Sequence, residues 1–215
     1  MKKYIFFALT FTAMASFNMG CKTKKQTTVS DNTPKEDIVE ITTSYGTMYM
    51  WLYKQTPQHR ANFIKLAGEG FFDSTTFHRI IANFMIQGGD PNSKDADTTN
   101  DGSGGPSYTI PAEFKDSLKH DFGSVGAART NNPAKASSGS QFYIVENAAG
   151  YHSLDKNYTV FGKIIGGMNA ATTIMVLPKN VNNRPYKDIK MSMKIIVKSQ
   201  AQLKSEFYFI PPTWN

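Results

Sequence analysis

Apolar and polar residues alternate with a period of two in several short runs, and each run predicts a half-buried strand. IVEITTS at 38–44 and TMYMWLY at 47–53 flank Tyr45-Gly46 and predict a β-hairpin. The period then changes. In TPQHRANFIKLAGEG, Phe63, Leu66 and Ala67 fall on one helical face, with Thr56 placed to cap, Pro57 in the first turn and Gly68 as a stop. A second helix is predicted in GGMNAATTIMVLP, where Met168, Ala171, Ile174 and Met175 recur at helical spacing before Pro178. YTIPAEF, SVGAA, SQFYIV, YTVFGKII and MSMKIIVKS add further short strands. Many strands, two short helices and no strand-helix-strand rhythm predict a mainly β fold, an antiparallel barrel with helices plugging its open ends.

The pattern fails at both ends. Met1-Lys2-Lys3 followed by YIFFALTFTAMASF is a charged start and an apolar run too short to span a bilayer, which reads as a signal peptide over residues 1–20. Cys21 is the only cysteine and follows Gly20, an arrangement that resembles a bacterial lipobox, although Asn18 and Met19 depart from that pattern. Ala13-Met14-Ala15 offers an alternative cleavage site for ordinary secretion. The expectation is lipid attachment at Cys21, a flexible segment over 21–37, a folded domain over 38–199 and an aromatic tail over 200–215. Such a protein would be held in the envelope of a bacterium, in the periplasm or at the outer membrane.

Composition adds little to this. The 215 residues are 40% hydrophobic, enough for one domain. The formal charge of +7 falls to about +5 once Lys2 and Lys3 are removed. The lysines are scattered singly apart from Lys22, Lys24 and Lys25, so no nucleic-acid partner is expected. A single cysteine excludes an intrachain disulfide.

Chemistry is narrowed mostly by exclusion. The chain lacks G-x-S-x-G, H-E-x-x-H and C-x-x-C, and the acids of SKDADTTNDGSGGPS miss calcium-loop spacing, so neither metal nor cofactor is expected. His59, His78, His120 and His152 read as structural or surface residues, with His78 placed to orient its neighbour Arg79. What remains is FHRIIANFMIQGGD, an apolar stretch that keeps a guanidinium. Alternation puts Met85 and Gln87 on one face of its strand and Phe84 and Ile86 on the other, while Gln141 and Tyr143 share a face of theirs. Two such strands would build a shallow pocket, greasy at the bottom and amide-lined at the rim, suited to a proline ring flanked by peptide backbone.

FHRIIANFMIQGGD, GSGGPSYTIPAEF, GAART, GSQFYIV and LDKNYTVFG occur in an order and spacing that resembles the cyclophilin family of peptidyl-prolyl cis/trans isomerases, its bacterial members most of all, over roughly residues 38–199. The resemblance implies a closed eight-stranded antiparallel barrel capped by two α-helices, with the site on its outer face. It implies Arg79 as the catalytic arginine, and Phe84, Met85 and Tyr143 as the proline pocket with Leu154 at its edge. Gln87 and Gln141 would hold the substrate backbone, Ala128 and Arg129 would pair with it, and Tyr158 stands where other members often carry histidine. Two departures are visible: Tyr143 replaces the usual phenylalanine and brings a hydroxyl to the pocket rim, and Ser153 replaces the tryptophan of cyclosporin-sensitive members. The implied partners are proline-containing extended chains, met by a monomer. The rival expectation is a non-catalytic proline-peptide binding module or a holdase using the same groove.

Overall fold

The computed structural model describes residues 32–213, so the expected leader, Cys21 and most of the 21–37 segment lie outside the described residues. β1 (Lys35–Thr43) and β2 (Gly46–Leu52) form the predicted hairpin, with Thr43 opposite Gly46. β1 begins three residues before the apolar run because its polar start has partners. Glu36, almost fully buried, accepts from Lys54 Nζ at 2.8 Å and from the Trp51 indole at 3.4 Å.

α1 (Pro57–Gly68) buries His59, Phe63, Leu66 and Ala67. Thr56 stands at its N-cap, but its hydroxyl donates to Tyr53 O. The free N–H groups of Gln58 and His59 donate instead to the Glu113 carboxylate at 3.1 and 3.0 Å, an anion at the positive end of the helix. Local sequence predicted the helix; a residue 54 positions away caps it.

Next come β3 (Arg79–Ile81), β4 (Met85–Gly88), β5 (Thr109–Ile110), β6 (Ser124–Ala127), β7 (Ser137–Ser138), β8 (Phe142–Val145), β9 (Val160–Gly166), α2 (Met168–Met175) and β10 (Met191–Ser199). Eight strands make one antiparallel sheet in the order β10-β1-β2-β9-β6-β8-β4-β3, and β5 pairs with β7 apart from it. The ladders leave β10 and β3 as edges. The residues leading into those edges meet in a narrower join, a Thr76–Lys190 bridge with Met191 N donating to Thr75 O at 2.8 Å and Phe77 N to Ile189 O at 3.0 Å.

Alternation sorts the side chains. Ile80, Ile86, Phe142 and Ile144 enter the main core with Met48, Met50, Phe63, Phe72 and Phe161, where α1 and α2 also pack. Met85, Tyr143 and Val145 emerge on the opposite face and collect Ala128, Ile81, Phe84, Tyr151, Leu154 and Tyr158 into a separate cluster. Full burial of each large core side chain contributes about 1.5–3 kcal/mol.

A third helix, α3 (Gln200–Phe207), occupies part of the expected tail. A capping box starts it: Gln202 N donates to Ser199 Oγ at 3.2 Å and Ser199 N to Gln202 Oε1 at 2.9 Å. Its apolar signal is weak because Leu203 alone is buried, against Ile38, Trp51 and Tyr53. Phe207 and Phe209 then lie on Tyr49 and Trp51, with ring centres 4.8 and 5.1 Å apart. Among the described residues no helix is long and apolar enough to cross a membrane.

Candidate functional site

Strand register builds the site. Arg79 lies opposite Gln87, Gln87 opposite Tyr143 and Tyr143 opposite Gly126, so four neighbouring strands place these residues in one row. Residues directly opposite on antiparallel strands project from the same face. Arg79, Gln87 and Tyr143 therefore meet on the face turned away from the main core.

A directed chain of hydrogen bonds holds the arginine. Arg79 Nη1 donates to Gln87 Oε1 at 3.1 Å, which turns the Gln87 amide N–H toward Gln141 Oε1, also at 3.1 Å. Gln141 in turn donates to the carbonyls of Gly102 and Gly104 at 3.0 and 2.7 Å. Asp90 fixes that glycine loop by accepting from the backbone N–H groups of Asn92, Gly102 and Gly104. Gly104 must lack a side chain, since a Cβ there would sit 2.2 Å from Asp90 Oδ1.

No carboxylate among the described residues pairs with Arg79. A half-buried guanidinium is ordinarily neutralised by one. Burial lowers the Arg79 pKa from its ordinary value, with Tyr158 opposing; an arginine nonetheless stays charged at physiological pH. Its charge faces a cavity of about 900 Å³.

Arg79, Phe84, Met85, Gln87, Ala128, Arg129, Tyr143, Leu154 and Tyr158 all line that cavity. Gln141 lines an adjoining cavity of about 530 Å³, with Gln87, Ala128 and Arg129 bordering both. The expected site residues thus come together, apart from Cys21, which lies outside the described residues.

Four local expectations change. Phe84 shares the pocket side with Met85 instead of facing away from it, because it lies in the turn before β4, where its N–H donates to Ile81 O, and strand alternation does not govern it. Its ring packs 4.2 Å from that of Tyr151. Ala128 spends its backbone within the chain, N–H to Gln141 O at 2.9 Å and C=O from Ser138 N at 2.8 Å, so the main chain left open to a peptide is that of Arg129. The Arg129 side chain donates to Asn157 O and lies 4.6 Å over the Tyr158 ring. The Tyr143 hydroxyl is not at the rim: it is buried and bonded to His120 Nε2 at 2.8 Å. His78, finally, makes no hydrogen bond to Arg79 among the described residues.

Sequence reasoning missed the polar end of the cavity. Thr98, Thr99, Asp101, Asn180, Asn182 and Arg184 line it, brought from two loops about 80 residues apart by the ion pair of Arg184 Nε with Asp101 at 2.6 Å. Arg184 also holds Asp188 at 2.9 Å. Nothing local marks these residues. Tyr151 was nearer to hand, an aromatic three residues before Leu154. Among the described residues no group of three or more His, Cys, Asp or Glu is placed to hold a metal ion.

Comparison with known proteins places this geometry. Residues 38–195 match the family model described as cyclophilin type peptidyl-prolyl cis-trans isomerase/CLD. The chain is similar to peptidyl-prolyl cis-trans isomerase-like 2 of Rhizopus delemar, 38% identical over 161 residues, covering 73% of this chain but only 28% of that protein. With mouse peptidyl-prolyl cis-trans isomerase-like 1 it shares 35% identity over 71% of this chain and 88% of the mouse protein. A crystal structure of a Cryptosporidium parvum cyclophilin type peptidyl-prolyl cis-trans isomerase superposes with a TM-score of 0.67 at 30% identity, over 77% of this chain and 99% of that one. The same parasite protein has also been crystallised in the presence of the dipeptide Ala-Pro, and that structure superposes with a TM-score of 0.65.

Proposed function

The chain belongs to the cyclophilin-type peptidyl-prolyl cis-trans isomerases, and from that membership we propose that Arg79 catalyses X-Pro rotation in the cavity on the outer face of the sheet; from the charged, apolar start of the sequence and Cys21 we propose an exported protein anchored to a bacterial membrane. The observation that carries the catalytic reading is the arginine itself. It keeps its charge without a carboxylate, is fixed by Gln87 and looks onto Phe84, Met85 and Tyr143.

The mechanism follows from the amide bond. Conjugation sets a rotational barrier of about 18–20 kcal/mol, so uncatalysed X-Pro bonds turn over in roughly tens to hundreds of seconds. At the twisted transition state conjugation is lost and the prolyl nitrogen regains a lone pair. An N–H of Arg79 donates to that nitrogen, which in the planar ground state is a poor acceptor, so the bond strengthens on the way to the transition state. The planar guanidinium suits the task because one N–H holds Gln87 while others face the substrate. Phe84, Met85 and Tyr143, with Leu154 at the edge, take the proline ring. Gln87 holds the flanking peptide, with Gln141 bracing Gln87 and through it the arginine, and Arg129 pairs with the peptide through its main chain. No covalent intermediate or cofactor enters this scheme.

Closure of the sheet into a barrel through the Thr76–Lys190 join belongs to the same reading, and so does the domain plan of a leader over 1–20, a tether over 21–37 and the isomerase domain over 38–199. Envelope proteins whose folding waits on proline would be the clients. The test is cis-to-trans exchange of a short Ala-Pro peptide, with wild type beside Arg79→Ala. Acceleration by the wild type, reduced on the order of 10²- to 10³-fold in a folded variant, is expected. Equal activity of the two would sink the arginine mechanism; peptide binding without acceleration by either would make the groove a recognition surface.

A further inference from the structure

Tyr143 forms part of the pocket wall, yet its hydroxyl points into the protein. His120 Nε2 lies 2.8 Å from Tyr143 Oη, and the two rings stack at 6.0 Å with planes 9° apart. His120 is fully buried and does not line the cavity. On its other side Nδ1 lies 2.8 Å from Asp155 Oδ1, which also accepts the His120 backbone N–H at 2.9 Å. The bonds from His120 and His152 hold Asp155 below its ordinary pKa against the opposing effect of burial. An ionised carboxylate only accepts, so Nδ1 must carry the imidazole proton. Nε2 of the neutral ring is then a bare lone pair, and the Tyr143 hydroxyl must donate to it.

A second observation bears on the same arrangement. The Tyr143 ring lies across Gly126, where a Cβ would come within 2.4 Å of the hydroxyl oxygen. β6 thus leaves room for the ring to reach past it toward His120.

We propose that His120 and Asp155 are positioning residues for the isomerase reaction, holding the Tyr143 hydroxyl out of the prolyl pocket so that the proline ring meets only the apolar face of the tyrosine. The inference rests on the reading of this cavity as the prolyl site. Position 143 then tolerates tyrosine because the fold supplies a buried acceptor behind the pocket. Protonation of His120 removes that acceptor: Nε2–H becomes a donor and the phenolic proton must turn elsewhere. Burial lowers the pKa of His120 from the ordinary 6.5, with Asp155 opposing, so the hydroxyl donates to Nε2 at neutral pH; on acidification the bond reverses, Nε2–H donating to Oη, and the phenolic proton loses its buried acceptor. The other charged or titratable groups around it are Lys119, 3.7 Å from Asp155; His152, 3.2 Å from Asp155 and 3.8 Å from Asp121; and Tyr158 and Arg129 beyond the tyrosine ring.

The experiment measures KM and kcat for a short Ala-Pro peptide from pH 7.5 downward to the onset of acid unfolding with wild type, His120→Asn, Tyr143→Phe and the double variant. Asparagine keeps an amide toward Asp155 but is too short to reach Tyr143. His120→Asn is expected to raise KM about three- to tenfold, the equivalent of one net hydrogen bond, with a smaller effect on kcat. In the Tyr143→Phe background the same change is expected to move KM less than about twofold, since the hydroxyl it serves is gone. Wild-type KM should rise as pH falls from 7.5 through the lowered His120 titration, and this rise should disappear in Tyr143→Phe. An equal effect of His120→Asn in both backgrounds means a merely structural histidine and overturns the proposal, as does a pH profile shared by wild type and Tyr143→Phe. If His120→Asn does not fold, the two pH profiles decide alone. If the wild type accelerates nothing, the reading of the site fails, and the same comparisons are made on peptide affinity by NMR; absence of coupling there overturns this inference too.

Discussion

Gly126→Ala places a methyl carbon 2.3 Å from Tyr143 Cζ, 2.4 Å from Oη and 2.6 Å from Cε2. Ordinary contact begins near 3.4 Å, so the ring must retreat by about 1 Å. Retreat is hindered. The hydroxyl is tied to His120 at 2.8 Å, and the ring meets Tyr158 edge-on at 6.1 Å. A shift of that size lengthens the hydroxyl bond beyond hydrogen-bonding reach and leaves two buried polar atoms unpaired. Overpacking costs about 1–3 kcal/mol and an unsatisfied buried group a further ~1–3 kcal/mol. The expected loss is on the order of 3 kcal/mol, or roughly 10 °C in Tm for a domain of this size. Urea unfolding of wild type, Gly126→Ala, Tyr143→Ala and the double variant measures it as a cycle. With the tyrosine truncated, Gly126→Ala should cost nearly nothing, or stabilise slightly through the lower entropy of the unfolded alanine chain. Gly68→Ala serves as control, because a Cβ there has nothing within 4 Å and the residue ends α1; it should stabilise by up to about 0.5–1 kcal/mol. If Gly126→Ala costs the same in both backgrounds, the ring does not lie across β6 and the geometry behind the His120 inference is wrong.

Acid should destabilise the protein in two stages. Burial lowers the pKa values of His59, His78 and His120 below 6.5, so the unfolded chain binds protons first and their contribution, present above pH 6.5, is lost as pH falls through the lower folded values. Glu113 and Asp155 follow: burial raises both, but hydrogen bonds from His59 and from His120 outweigh it, so their stabilisation is present above pH 4.5 and 3.8 and is lost below. Urea midpoints at pH 7.5, 5.5 and 4 check the order, and an unchanged midpoint between the first two refutes the histidine part. Cys21→Ala should abolish acylation and move the protein from the membrane to the soluble fraction; unaltered fractionation would count against the anchor.

The residue sequence by itself determined the β1–β2 hairpin, α1, α2 and the facing of β4 and β8. Each depends on neighbours within one turn or one strand: period-two alternation turns Met85 and Tyr143 outward whatever lies beyond, and Pro57 starts a helix from its own fixed φ. The family motifs likewise named nine residues that line one cavity, with Gln141 bonded beside them. Tertiary structure decided what local pattern does not encode. Phe84 entered the pocket because a turn released it from alternation, and Glu113 capped α1 from 54 residues away. Ala128 lost its open backbone to Gln141 and Ser138, and α3 formed around the single buried Leu203. His120 reads in the sequence as one more histidine between Lys119 and Asp121. Its role depends on Asp155 and Tyr143 arriving on opposite sides of its ring, and only the packing of three distant segments sets which nitrogen holds the proton and which way the tyrosine hydroxyl points.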